Sequence, residues 1–334
     1  MHFRHPAAAI RGHRRSGALT LRLTSRSWIA CLCASLLLPC AAALGAGPVP
    51  PQQVPTSFER RLAAIASRFG GQVTLAGVNL KTGERFGLAP DRPVQTASVI
   101  KLPVMVEAFY QMQEGKLNWS QPVKETGFDR VPGSGILQDL STQLNLTLGD
   151  AITLMIDLSD NTAANMVIHA TTVEAVNARM LQLGLKHTVL FGYVFHEKSA
   201  TSAAAKKFGL GETTASDMVR LLSLIQQHQI LTPAACDSML KILGKQRDND
   251  AFPRYTSNLP GVTWAHKTGA LNAVRNDVGI AQTLAGPIVL AGFACNSPDR
   301  QWTADNAALL VLARLARAAL AHFMPAAPAA KAAK

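Results

Sequence analysis

Gln95-Thr96-Ala97-Ser98-Val99-Ile100-Lys101 is the stretch on which the reading of this chain turns. It sets a hydroxyl and an amine three residues apart, just ahead of an apolar run. On a helix, residues i and i+3 share a face, with Cβ atoms about 5–6 Å apart. The lysine ammonium can then reach the serine Oγ, and a buried lysine, held neutral, can take the serine's proton. By itself S-x-x-K recurs by chance, and an exposed helix start with a solvated lysine is the plainer reading until the rest of the chain is considered.

Outward from that point, Ser98 to Glu114 reads as a helix stopped by Gly115, with Pro103 near its first turn, where a missing N–H costs least. On the N-terminal side, Phe58 to Phe69 has helical spacing and ends at Gly70-Gly71. Val73–Leu80 and Arg85–Leu88, joined by Lys81-Thr82-Gly83-Glu84, read as a β-hairpin. On the C-terminal side, Thr147-Leu148-Gly149-Asp150 forms a capping box. Helices are predicted at Asn161–Ala170, Val173–Gly184, Thr214–His228 and Pro233–Leu243. Gly184 to Glu212 has little period. Val262–His266 alternates like a strand, Val278–Thr283 and Ile288–Cys295 form an apolar hairpin, and Asp305–Phe323 is an amphipathic helix. The order is helix, two strands, a helical stretch, three strands, helix. Terminal segments that supply both ends of one sheet predict an α/β fold: an antiparallel five-stranded sheet flanked by helices, with an inserted all-helical subdomain at roughly 98–250.

The chain has 334 residues, 48% of them hydrophobic and 16% charged, enough to bury one large core. Its formal charge of +12 resembles a nucleic-acid signal. Six arginines and no acids lie in residues 1–46, however, and the remainder carries 27 basic against 21 acidic residues with no basic run, so no nucleic-acid partner is expected. Residues 1–46 read as a cleavable export signal: a basic region to Arg26, an apolar stretch from Trp28 to Leu38, and Ala41-Ala42-Ala43. Arg14-Arg15 fits a twin-arginine signal poorly, so general secretion is expected, placing the mature chain in the periplasm or outside the cell. The apolar stretch is short for a span of about 20 residues, and no membrane span is expected after cleavage. Residues 47–56 form a Pro-rich linker and 324–334 an Ala/Pro/Lys tail expected to be disordered. Three of the five cysteines lie in the signal; Cys236 and Cys295 remain, and whether they pair is left open. No cysteine or histidine spacing suggests a metal site, and no cofactor is expected.

Two further motifs follow Ser98-x-x-Lys101 in order. Ser159-Asp160-Asn161 lies between two helices, and Lys267-Thr268-Gly269 at the end of the Val262–His266 strand. The ordered triple is far more specific than any member. With it the chain resembles the class A β-lactamase family and, more broadly, the penicillin-recognising serine hydrolases. The resemblance covers roughly residues 57–323 and includes Gly133-Ser134-Gly135-Ile136-Leu137 and Thr213-Thr214-Ala215-Ser216-Asp217-Met218. It implies that Ser98 attacks a carbonyl, that Lys101 removes its proton, and that Ser159 relays a proton to the leaving nitrogen. It also implies that Lys267 and Thr268 attract a substrate carboxylate, that Asn161 bonds the substrate's side-chain amide, and that the N–H groups of Ser98 and Ala270, beside Gly269, form the oxyanion hole. The expected partner is a small β-lactam or a peptidoglycan-like substrate, and a monomer is the default.

Other readings stay open. Ser159-Asp160-Asn161-Thr162 also suits a plain helix N-cap, and Lys81-Thr82-Gly83 is taken as a hairpin turn only. Arg275 reads as a second cation for the carboxylate or as an exposed strand arginine. His266 stands where class A enzymes usually carry an acid and is expected to face solvent; Trp264 is expected in the core. The pattern E-x-x-L-N, which carries the deacylating glutamate in class A enzymes, is absent. Counting forward from Gly184 puts that position near Val194, and counting back from Thr213-Thr214 puts it nearer Ser199. Glu197 lies between, as a candidate base or as a surface residue paired with Lys198. The alternatives are therefore an exported β-lactamase, a D-Ala-D-Ala peptidase or slow-deacylating relative, and a binding module for lactams or muropeptides.

Overall fold

The computed structural model describes residues 56–142, 144–196 and 201–324. The expected signal segment, the linker up to residue 55, the tail beyond Met324, and Glu197 lie outside the described residues.

Helix α1 (Ser57–Ala66) opens with a capping box between Thr56 and Glu59 and buries Phe58 and Leu62. Strands β1 (Gln72–Asn79) and β2 (Arg85–Leu88) form the expected hairpin. Its turn places Gly83 at φ 77°, a left-handed conformation that glycine adopts without a Cβ clash. Seven helices follow: α2 (Lys101–Gln113), α3 (Leu148–Asp157), α4 (Asn161–Thr171), α5 (Val173–Gln182), α6 (Ala203–Phe208), α7 (Ala215–Gln226) and α8 (Pro233–Leu243). Strands β3 (Thr263–Leu271), β4 (Val274–Gln282) and β5 (Ile288–Cys295) and helix α9 (Ala307–Phe323) complete the described chain. The sheet order is β2-β1-β5-β4-β3, antiparallel throughout. This is the α/β architecture with an antiparallel five-stranded sheet that the element order predicts, and the β-lactamase/transpeptidase-like fold that the resemblance implies.

Each face of the sheet carries its own apolar layer. Val78, Val278 and Val289 pack toward the helices α2, α3, α4, α7 and α8. Leu75, Ala281 and Leu290 pack toward α1 and α9. Burial on both faces explains why Val278–Ala281 of β4 and Ile288–Ala294 of β5 read as apolar runs without alternation.

The structure revises several expectations. The Lys267-Thr268-Gly269 motif does not end its strand. It lies inside β3, opposite Val278, Asp277 and Asn276 of β4. Ala97–Ile100 forms a 3₁₀ turn, and the α-helix begins only at Lys101. The stretch after Gly184 holds α6 and two short strands; Gly211–Thr213 pairs on one side with Val94–Gln95 and on the other with Val189–Leu190. His266 does not face solvent: it is 1% exposed and its Nδ1 lies 2.9 Å from Asp277 Oδ1. Gly279 opposite leaves room for it, since a Cβ there would lie 2.4 Å from the His266 Cβ. Trp264 is half-buried, donates to Thr256 Oγ1 at 2.8 Å and packs against Phe252. Cys236 and Cys295 are both free thiols, the first in α8 donating to the Ile230 carbonyl, the second at the end of β5.

Candidate active site

The 3₁₀ turn sets the nucleophile. In this tighter helix side chains at i and i+3 eclipse, so Ser98 and Lys101 stand one above the other, and the Lys101 N–H closes the turn onto the Ser98 carbonyl. Ala97, just before Ser98, is held at φ 45°, a conformation that costs a non-glycine residue about 1–3 kcal/mol. The neighbouring strand holds the strained turn in place. Asn276 Nδ2 donates to the Gln95 carbonyl at 2.9 Å and to the Thr96 carbonyl at 3.1 Å, and Thr96 N donates to Gly211 O at 3.0 Å.

Ser159 joins the three motifs. It sits at φ 54° between α3 and α4, and its hydroxyl faces both lysines. Lys101 Nζ donates to Ser159 O at 2.6 Å and to Asn161 Oδ1 at 2.8 Å, and lies 3.2 Å from Ser159 Oγ. Lys267 Nζ donates to the same Oγ at 3.1 Å and to Thr268 O at 2.8 Å. The i, i+3 spacing puts Lys101 within reach of Ser98 Oγ, but among the described residues every side-chain bond of Lys101 goes to Ser159 or Asn161, which favours transfer through water over direct transfer.

Both lysines are fully buried. Desolvation, reinforced by the Lys267 charge and opposed by Asp160, holds the Lys101 amine well below the ordinary lysine range. Burial also lowers Lys267, to about 8, against the opposing pull of Asp248 and Asp277. The geometry suits a neutral Lys101. Ser159 O and Asn161 Oδ1 only accept, so they use both N–H groups of a neutral amine. Its lone pair is left for a hydroxyl proton. Ser159 Oγ can then donate to Lys101 while accepting from Lys267, which orders a proton path from one amine to the other.

The oxyanion donors depend on a missing side chain. A Cβ on Gly269 would lie 2.8 Å from Thr96 O and 3.1 Å from the amide nitrogens of Ser98 and Val99. Glycine therefore lets β3, the sheet's edge strand, close on the turn that carries Ser98. Thr268 is buried with a hydroxyl that bonds to no described residue.

Asp160 carries an anchoring role that the motif alone did not reveal. One carboxylate oxygen caps α4 through Ala163 N at 2.9 Å; the other accepts from Ile136 N at 2.7 Å and Leu137 N at 2.9 Å. Asn161 Nδ2 donates to Pro132 O at 3.0 Å and keeps its second N–H free for a substrate carbonyl. One turn along α4, the fully buried Asn165 clamps a single residue of the loop after Gly184. Its Oδ1 accepts from Val194 N at 2.8 Å, and its Nδ2 donates to Val194 O at 3.2 Å. The spacing Asn161-x-x-x-Asn165 on one helix face was the sequence signal for this second amide.

Arg275 is 4% exposed, so it is not the exposed strand arginine of the second expectation; its guanidinium donates to the carbonyls of Leu271, Val274 and Gln301, and it packs 4.4 Å from the Trp302 ring centre. It fastens the β3–β4 turn to the segment before α9. Among the described residues no group of three or more His, Cys, Asp and Glu gathers to hold a metal ion.

A serine on a strained turn, two buried amines that share a second hydroxyl, and a glycine that lets the edge strand close on the turn are the parts a serine hydrolase uses. The chain belongs to the β-lactamase enzyme family, whose model matches residues 57–323, and is a serine β-lactamase-like hydrolase. It is similar to the β-lactamase of Sphaerobacter thermophilus, with 30% identity and a TM-score of 0.73 over 82% of this chain and 100% of that one. A variant of PBP-A, solved as an acyl-enzyme complex with penicillin G, matches at 25% identity and TM-score 0.72 over 82% of this chain and 99% of that one. A β-lactamase regulatory protein, BlaB of Streptomyces cacaoi, is 26% identical over 109 residues, which are 32% of this chain and 35% of that protein. The match thus spans about a third of the regulatory protein's length.

Proposed function

We propose that this chain is an exported serine hydrolase that opens the β-lactam amide through a Ser98 acyl-enzyme, acting as a periplasmic or secreted monomer. The observation that carries this reading is the single hydroxyl of Ser159 shared by two buried lysines. Neutral Lys101 takes the Ser98 proton through a bridging water as Oγ attacks the lactam carbonyl, Ser159 Oγ releasing the lone pair. The Ser98 and Ala270 N–H groups receive the oxyanion, a pair of donors worth about 2.7–4 kcal/mol each by analogy with other acyl-transfer sites. As the C–N bond breaks, the proton passes through Ser159 to the ring nitrogen, while Lys267 and Thr268 hold the substrate carboxylate and Asn161 its side-chain amide.

One observation supports a second reading of the release step. The residue that Asn165 locks beside Asn161 is Val194, which is 7% exposed and apolar. Forward counting from Gly184 put the deacylating position there. A valine cannot activate water, so in this reading the ester persists and the protein is a D-Ala-D-Ala peptidase or a slow hydrolase. A chromogenic cephalosporin separates the two. Many turnovers per enzyme support a β-lactamase, with Glu197→Gln then testing that residue as the base. A single stoichiometric burst with a stable Ser98 adduct supports the second reading. No adduct with any lactam, and no change on Ser98→Ala, would sink both.

A further inference from the structure

We propose that Phe195 is a specificity-determining residue, its ring forming an apolar wall beside Asn161 for an aromatic group on the acyl side of the substrate amide. This deepens the reading above and rests on Ser98 being the acylated nucleophile.

The segment around Phe195 sorts its aromatic side chains in two directions. His196 stacks on Phe128 with ring centres 3.8 Å apart, and Tyr193 meets the same ring edge-on at 5.0 Å. Phe195, between Val194 and His196, makes no ring contact with a described residue and is 57% exposed. Its backbone sits at φ 58°. A bulky residue in that region is a conformational outlier that persists only where its surroundings impose it. Two bonds impose it here: the Asn165 clamp on Val194, and the turn closed from His196 N to Tyr193 O at 3.2 Å. The fold therefore holds a large apolar ring out of the core in a strained conformation.

The position of that ring is set by Gly133. A Cβ on Gly133, whose φ is 98°, would lie 2.8 Å from Asn161 Nδ2 and 3.3 Å from the Phe195 ring, so the space a side chain there would fill borders both the amide and the aromatic. A substrate amide bonded to the free N–H of Asn161 carries its substituent within reach of that glycine and of the ring beyond it. Exposed apolar residues scattered singly need no explanation; one held under backbone strain at the amide-binding residue does.

The test compares two penicillins that share the same side-chain amide, one with a phenylacetyl and one with an acetyl group. The second-order rate of Ser98 adduct formation is followed by mass spectrometry, so slow or fast release does not matter. The variants are Phe195→Gly and Phe195→Asn, both of which tolerate a positive φ. Wild type is expected to favour the phenylacetyl compound, and both variants to lose about three- to tenfold of that preference, the scale of one aromatic pair. The acetyl rate and the melting temperature should hold or rise. Unchanged preference in both variants, or an equal loss on both lactams, overturns the wall. Absence of any Ser98 adduct in wild type instead overturns the acyl-enzyme reading itself, and the wall with it.

Discussion

Raising the pH from about 7 to about 9 should slow acylation while stabilising the fold. Lys267 is fully buried, and desolvation brings its pKa to about 8. About nine in ten molecules then hold the Lys267 cation at pH 7 and about one in ten at pH 9, so a step that needs the cation slows about tenfold. Lys101 acts in the opposite sense, since its neutral form is the base. Its pKa lies well below the ordinary range, which puts that rising limb at lower pH. The stability effect follows from linkage. Lys267 titrates lower in the folded chain than in the unfolded one. Between pH 8 and the unfolded value near 10.4, the unfolded chain holds the extra proton and stability rises with pH. A shift from 10.5 to about 8 corresponds to roughly 3 kcal/mol across that window. The assay is the initial rate of lactam opening at low substrate, or of adduct formation, paired with urea unfolding at each pH. Lys267→Met should remove the basic limb and take away the Lys267 share of the rise in stability, leaving the share that Lys101 contributes in the same sense. Acylation that stays level or rises between pH 7 and pH 9, or an unchanged limb in Lys267→Met, would refute this assignment.

Gly269→Ala should cut acylation by about a hundredfold, since its Cβ would press on Thr96 O at 2.8 Å and on the oxyanion amide at 3.1 Å; adduct formation rates report it, with a melting curve to show the fold intact. Asp160→Ala removes an acceptor used by three backbone N–H groups and should destabilise the fold by roughly 3 kcal/mol in urea titration. Because Cys236 and Cys295 are free, a thiol reductant should leave the melting temperature of a chain begun at residue 47 unchanged, and a thiol reagent under denaturing conditions should count two groups in it.

Much of the fold was legible because its signals are local or periodic. The capping boxes at Thr56 and Thr147, the glycine of the β1–β2 turn and the apolar runs of β4 and β5 each act within a few residues. The reading failed where a partner distant in sequence decides. β3 runs past Lys267 because β4 offers it a complete ladder, and His266 is buried because Asp277 and the missing side chain of Gly279 lie opposite. Arg275 looked exposed only because the carbonyls that occupy it lie across a turn and in the segment before α9.

The sequence by itself determined which groups were candidates for the chemistry: Ser98 and Lys101 three apart, Ser159 and Asn161 two apart, and Lys267 before Thr268-Gly269. Short spacings on a helix or strand fix relative direction through backbone geometry alone. Only the tertiary structure decided that Lys101 and Lys267 share one hydroxyl, across 58 and 108 residues of chain. It also decided that burial lowers both amines and that Asn165 holds Val194, with Phe195 next to it. Desolvation and cross-chain hydrogen bonds are properties of what surrounds a side chain, and those surroundings exist only once sheet and helices have closed on each other.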